Sequence, residues 1–273
     1  MRTDSMGNPM TNAAAVDRKE AEREFHDALR GEFAADKELH ANDKFYAIFR
    51  SNEEFVEQLI ERGCRGKRVL DYCCGYGGTA RRLARAGAEA YGIDISPVSV
   101  ERSQAIAAQE GLSDSVKFMV MDAEATEFPD SFFDLILVNG VLHHLDLLKA
   151  YKELARITKP DGIVIATEAL RHNLAIHLYR RLTPHLRTAW EVEHILGKSE
   201  IFSASRHFNR VEVLKFFHLA TLLAVPLRNS ALFEPMRRAL QALDSILLRL
   251  PILKWQAWVA VFMLAAPQKP QTN

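Results

Sequence analysis

Apolar residues in the first quarter of the chain recur at helical intervals, and beyond Lys67 they gather into short unbroken runs. Phe25, Leu29 and Phe33, then Phe45, Ile48, Phe49, Phe55 and Leu59, punctuate charged stretches, which predicts two or three amphipathic helices over residues 19–63. Residues 1–18 hold Gly, Pro, Asn and Ala without a period and read as a flexible tail. The later runs, residues 69–71, 90–93, 116–120, 133–138 and 163–167, are short and apolar on both faces, as parallel strands covered on both sides must be. Helical segments such as 79–86 and 97–109 separate them, and right-handed crossovers then make a doubly wound α/β sheet. After Glu168 a His- and Arg-rich stretch interrupts the rhythm. It is followed by an apolar piece at 211–225, a long helix at 234–250 and the run 258–265. The two apolar pieces are read as a late strand pair that brings the sheet to seven strands. No internal repeat and no Pro/Ser linker divides the chain, which predicts one domain over residues 64–273 behind a helical N-terminal extension.

Composition narrows the function. Thirty-five basic residues balance 35 acidic ones, so no excess charge is available to neutralise a phosphate backbone, and nucleic acid is excluded as the expected partner. A diffusible small molecule is favoured instead. The three cysteines, Cys64, Cys73 and Cys74, form no set with the spacing of a zinc site, so no metal is expected and a reducing cytoplasm fits. Residues 1–15 are too polar for a signal peptide, and the longest uncharged stretch, 255–268, is shorter than the roughly 18 apolar residues that span a bilayer. No transmembrane segment is expected.

The chemistry lies at strand ends. Val69-Leu70-Asp71-Tyr72-Cys73-Cys74-Gly75-Tyr76-Gly77-Gly78-Thr79 places a glycine-rich turn between a strand and a helix, where backbone approaches a ligand closely. Gly75 and Gly77 do not complete a dinucleotide fingerprint, because position 80 is Ala, although Ala can stand there and a dinucleotide stays open. Asp94, at the end of the next strand in Gly92-Ile93-Asp94-Ile95-Ser96, follows Asp71 by 23 positions and is placed to bind a ribose hydroxyl pair. A carboxylate suits a vicinal diol because it accepts two charge-assisted hydrogen bonds. Met121-Asp122-Ala123-Glu124 ends strand three, and Val138-Asn139-Gly140-Val141-Leu142-His143-His144-Leu145 ends strand four. These successive strand ends point at one crevice. Asp134, at the start of strand four, is read as an anchor of that strand.

This ordered set resembles the class I S-adenosylmethionine-dependent methyltransferases, in particular the small-molecule branch that includes the ubiquinone and menaquinone biosynthesis type. The resemblance covers about residues 45–162. The family pattern V-L-D-x-G-C-G-x-G is matched by residues 69–77, with Cys73 standing where the first glycine is usual. The resemblance implies a Rossmann-like seven-stranded fold with a helical substrate lid inserted after strand five, about residues 169–210. It also implies S-adenosylmethionine as donor and S-adenosylhomocysteine as product. Asp71, Cys73, Gly75, Gly77, Asp94, Ile95, Asp122, Ala123 and Asn139 are the expected donor contacts.

For the acceptor side, His144 is a candidate base, and Glu168 and His172, after strand five, join it as catalytic candidates. Asn173, Tyr179, His194 and Tyr46 are expected to contact the substrate, a small and partly apolar metabolite methylated on oxygen, nitrogen or activated carbon. The reaction is direct displacement, so the protein's work is positioning and, where needed, proton removal. Two other readings stay open, a non-catalytic methyltransferase-like cofactor-binding subunit and a nicotinamide-dependent oxidoreductase. The Leu-rich helix near 235–250 carries Arg237, Arg238 and Arg249, which leaves peripheral contact with lipid open, as is a homodimer.

Overall fold

The computed structural model describes residues 18–25, 27, 43–61, 63–183 and 189–269. The tail expected over 1–17 lies outside these residues, while Arg18 already belongs to a first helix, α1, residues 18–25. A 3-10 turn (Asp43–Ile48) and α2 (Arg50–Glu61) complete the N-terminal extension. The sheet then alternates with helices in the order β1 (Arg68–Tyr72), α3 (Gly78–Arg85), β2 (Glu89–Asp94), α4 (Pro97–Gln109), β3 (Val116–Val120), β4 (Phe133–Asn139), α5 (Leu147–Ile157) and β5 (Thr158–Ala169). Three short helices follow, α6 (Leu174–Leu182), α7 (Ala189–His194) and α8 (Lys198–Ser203), then β6 (Phe208–Phe217), α9 (Phe233–Leu247) and β7 (Val259–Pro267).

Seven strands form one sheet in the order β3-β2-β1-β4-β5-β7-β6, with β7 antiparallel to both of its neighbours. The order reverses between β1 and β4, and the carboxyl ends of the strands flanking such a reversal open the crevice where ligands of doubly wound sheets bind. Alternation along each strand feeds two core layers. Leu70, Tyr72, Ile136 and Val138 pack on one face with Tyr151, Leu154 and Phe262. Val69, Leu135, Leu137 and Ile165 pack on the other with Ile48, Leu83 and Val261. The N-terminal extension thus closes the second face, beside α3 and α4. Local sequence sets the helix starts: Ser96 Oγ accepts from the Ser99 N–H at 3.0 Å ahead of Pro97, and Asp146 caps α5. Asp134 accepts from the Arg68 N–H (2.9 Å) and from Lys159 Nζ (2.7 Å), pinning β4 at the end of the sheet away from the crevice.

Two expectations need correction. The apolar piece 211–225 is a strand only to Phe217, where His218 adopts a left-handed φ of 64° and a 3-10 turn, Thr221–Leu227, follows. The cause is Asp244 on α9, whose carboxylate accepts from the N–H groups of Ala220 (2.6 Å), Leu219 and Thr221 (3.2 Å each), so the chain turns instead of extending. β5 starts earlier than 163, because Thr158 already pairs with Phe133 ahead of an irregularity in β4.

Candidate active site

The turn after β1 is left-handed at Cys73 (φ 59°), Gly75 (53°) and Gly77 (66°). At Gly77 a Cβ would overlap the Phe118 ring, so the nearness of β3 demands glycine there. Cys73 holds the same left-handed conformation with a side chain, at an order of 1–3 kcal/mol of backbone strain. The turn delivers α3 beneath the strand end, and Asp71 Oδ2 accepts the Ala80 N–H at 3.0 Å.

Asp71 is buried, and burial pushes its carboxyl up to about 7, against the Ala80 hydrogen bond and with the Asp94 charge adding to the rise. Because folding raises this pKa, the stabilising protonated form is fully present below about pH 3.9, the ordinary value, and its benefit is lost as pH rises through about 7. Asp71→Asn stays neutral and can still accept from Ala80. The variant's melting temperature should therefore climb relative to the parent's between pH 4 and 7. A difference that is flat across this window contradicts the assignment.

Asp94 is 4% exposed and borders the main cavity, and its geometry is set by backbone: Oδ2 accepts from Gly75 N at 2.9 Å and Oδ1 from Ser96 N at 3.0 Å. A carboxylate oxygen can accept more than one hydrogen bond, so the chemistry of this group suits a diol at the cavity rim. At the next strand end Asp122 Oδ1 accepts from Glu124 N at 2.9 Å, while Oδ2 lies 2.5 Å from Lys19 Nζ of α1. Cys73, Ile95, Ala123 and Asn139 share this wall.

The cavity, about 700 Å³, continues into an aromatic half. Phe45 meets Tyr179 edge-on at 5.0 Å and Trp258 at 5.1 Å, and Phe49 lies 4.8 Å from Trp258. Between the halves sits the loop after β4. Glu168, 1% exposed, accepts from the N–H groups of Val141 and Leu142 at 2.8 Å each, and its second oxygen lies 2.9 Å from His143 Nδ1. His144 follows on a 3-10 turn, its ring on the cavity wall and its Nδ1 2.9 Å from the Glu22 carboxylate of α1. Arg18 secures α1 here by donating to the His144 carbonyl (3.0 Å) and pairing with Glu124 at 2.5 Å.

The cavity thus gathers Cys73, Asp94, Ile95, Asp122, Ala123, Asn139, His144, Glu168, Tyr179 and Tyr46 from among the residues singled out in the sequence. Others are placed elsewhere. Asp71, Gly75 and Gly77 stand behind the wall, where they shape the turn. His172 lies in a separate groove with Arg171, Lys198 and Phe202, because Leu170 bridges to Leu196 and donates to the Trp258 carbonyl, turning the chain away from the crevice. Asn173 caps α6 by accepting from Ile176 N at 3.0 Å and donates to the Gln256 carbonyl at 2.7 Å. His194 stacks on Trp190 at 3.6 Å with Nδ1 2.8 Å from the Trp190 carbonyl. None of the three is among the described residues that line the main cavity. Of the expected lid, the described residues on the wall are Ala169 at the end of β5 and Ile176, Tyr179 and Arg180 of α6. Arg18, Lys19, Glu22 and Trp258 were not singled out; within a uniformly charged helical stretch nothing marks the first three. Among the described residues no cluster of His, Cys, Asp or Glu is placed to hold a metal ion.

Residues 70–166 match the family model described as a methyltransferase domain. Over 110 residues the chain is 44% identical to a probable chloroplastic tocopherol O-methyltransferase of Oryza sativa subsp. japonica, covering 40% of this chain and 30% of that protein. Over 100 residues it is 39% identical to sterol 24-C-methyltransferase ERG6B of Gibberella zeae, covering 36% of this chain and 26% of that protein. The chain spans less than a third of the length of these curated relatives. Among solved structures, geranyl diphosphate C-methyltransferase from Streptomyces coelicolor A3(2) shares the fold, with a TM-score of 0.55 and 16% identity over 80% of this chain and 79% of that one. Residues 70–166, which hold most of β1 to β5, are thus similar to a methyltransferase domain.

Proposed function

We propose that this chain is an enzyme that transfers a methyl group from S-adenosylmethionine to oxygen, nitrogen or activated carbon of a small, partly apolar acceptor, releasing S-adenosylhomocysteine. The observation that carries the reading is the single cavity in which a fixed carboxylate wall and an aromatic wall meet at His144. The first wall fits the donor. Asp94 is anchored by two backbone N–H groups and its carboxylate suits a ribose diol, and Asp122, beside the small Ala123, offers a carboxylate to the base edge. When bound, the donor supplies a methyl carbon made electrophilic by its sulfonium.

The chain's own part is alignment and proton removal. Phe45, Phe49, Trp258 and Tyr179 present flat apolar surface that orients a partly apolar acceptor and excludes water from it. His144 accepts the acceptor's proton where the attacking atom carries one, and Glu22 beside Nδ1 steadies the imidazolium that results. Glu168 holds the loop in register for this and is a positioning residue, since its oxygens are engaged by Val141, Leu142 and His143. An open acceptor half speaks against a merely cofactor-binding subunit. All three cysteines are free thiols, which supports a reducing compartment, and among the described residues no helix is long and apolar enough to cross a membrane. The reading is tested by incubating the protein with isotopically labelled donor and a panel of apolar hydroxyl, amine and enol compounds, then locating the added methyl by mass spectrometry. Donor binding without transfer to any member, with Phe45 and Trp258 replaceable at no cost to any ligand, would return the chain to the subunit reading.

A further inference from the structure

The segment between β6 and β7 is more than a connection. These strands pair antiparallel from Phe217↔Val259 to Phe208↔Pro267, a geometry that a two-residue turn can close. Here the connection runs from His218 to Trp258 and builds α9, fixed from beneath by buried Asp244 and by Phe233 against the core. α9 is therefore a held element whose outer face is open.

That outer face is apolar. Leu232, Met236, Leu243, Ile246 and Leu250 are 63, 41, 43, 62 and 50% exposed, and Ala239 between them is exposed too. Their alternating spacing of four and three gathers them into one seam along the helix. Beyond its end, Ile252 is 82% exposed. Arg238, exposed on α9, falls on one flank of the seam, about a third of a turn from its centre at roughly 100° per residue, and exposed Arg249 lies in the turn just after the helix. Among residues 228–254 the exposed charges are Arg228, Arg238, Arg249 and Glu234, and Glu234 is held by Arg237 at 2.8 Å and more loosely by Arg238 at 3.8 Å. The seam asks for a partner that is apolar within and anionic at its surface. A second copy meets the first demand and fails the second, because its own apolar seam is flanked by arginines and brings no free carboxylate to meet them.

We propose that the α9 seam docks on an anionic lipid bilayer, with Leu243, Ile246 and Ile252 at the acyl boundary and Arg238 and Arg249 against lipid phosphates. The insertion also reaches the acceptor half of the cavity. His218, its first residue, stacks on Phe49 at 5.7 Å and holds Asn52 Oδ1 at 2.9 Å, and both partners border that half. Docking thus sets the aromatic wall beside a reservoir of apolar acceptors; this consequence rests on the proposed function, whereas the docking itself does not.

The test is flotation of the full chain with phosphatidylcholine vesicles, with and without phosphatidylglycerol. Binding is expected only with the anionic lipid and is expected to fade at high salt. Arg238→Ala combined with Arg249→Ala should weaken it roughly thirtyfold, about 2 kcal/mol for two surface charges. Leu243→Asp with Ile246→Asp should abolish it. Calorimetric affinity for S-adenosylhomocysteine should stay unchanged in both variants, which separates loss of docking from loss of folding and from any failure of the methyltransferase reading. Absence of the parent protein from anionic vesicles, equal binding by the variants, or a dimer in sedimentation that the two aspartates disperse would each overturn the proposal.

Discussion

Replacing His144 by alanine should lower turnover by about 10²–10⁴-fold while leaving donor affinity unchanged, because the residue serves the acceptor's proton and does not share the wall formed by Asp94. Imidazole accepts a proton only when neutral, so the parent's rate should fall on acidification and the variant should lose that limb of the profile. Glu22→Gln makes the finer point. It keeps the length of the side chain beside Nδ1 and removes the charge that steadies the imidazolium, so it should lower turnover with little change in the concentration of acceptor needed. Steady-state rates over a pH series, with calorimetry of S-adenosylhomocysteine alongside, check both variants. Full turnover by His144→Ala with an acceptor that must lose a proton would remove the residue from the mechanism.

Glu168→Ala should cost more stability than any other change at the site. It strips the acceptor from two backbone N–H groups, Val141 and Leu142, and from His143, all beside a carboxylate that is 1% exposed. At about 1–3 kcal/mol for each of the two buried groups left unpaired, the Leu142 N–H and His143, the loss is about 2–6 kcal/mol, or roughly 5–20 °C in melting temperature for a chain of this size. Glu168→Gln keeps one carbonyl for the two N–H groups and should lose less. Thermal unfolding of the three proteins measures the order directly, and equal melting temperatures would show that the loop is held by other contacts.

The parts of the fold that could be read from sequence are those in which local pattern and global packing agree. β1, β2 and β4 are apolar on consecutive positions because both faces are covered, and Ser96-Pro97 marks a helix start by a cap whose hydrogen bond the structure contains. Asp94 and Asp122 were legible for the same reason: strand ends in a doubly wound sheet share one rim. What escaped depends on contacts between distant segments. The apolar piece 211–225 suits a strand until Asp244 captures the backbone after Phe217. His172 follows a strand end that ought to face the crevice, but the Leu170–Leu196 bridge turns it out. Glu22 meets His144 across 122 positions, and no local period announces such a pairing. Cys73 is the instructive intermediate. Its place in the motif identified the turn, whereas its left-handed backbone shows that the turn keeps the glycine conformation without the glycine.

The central claim is that the wall containing Asp94 is a methyl-donor site, and calorimetric titration of the full chain tests it most directly. S-adenosylmethionine and S-adenosylhomocysteine should bind and raise the melting temperature, and NAD should do neither. Asp94→Ala removes a charge-assisted ribose contact of about 1.5–3 kcal/mol and should weaken both ligands at least tenfold. Binding of NAD in place of the two sulfur ligands, or affinity for them that survives the loss of Asp94, would contradict the account.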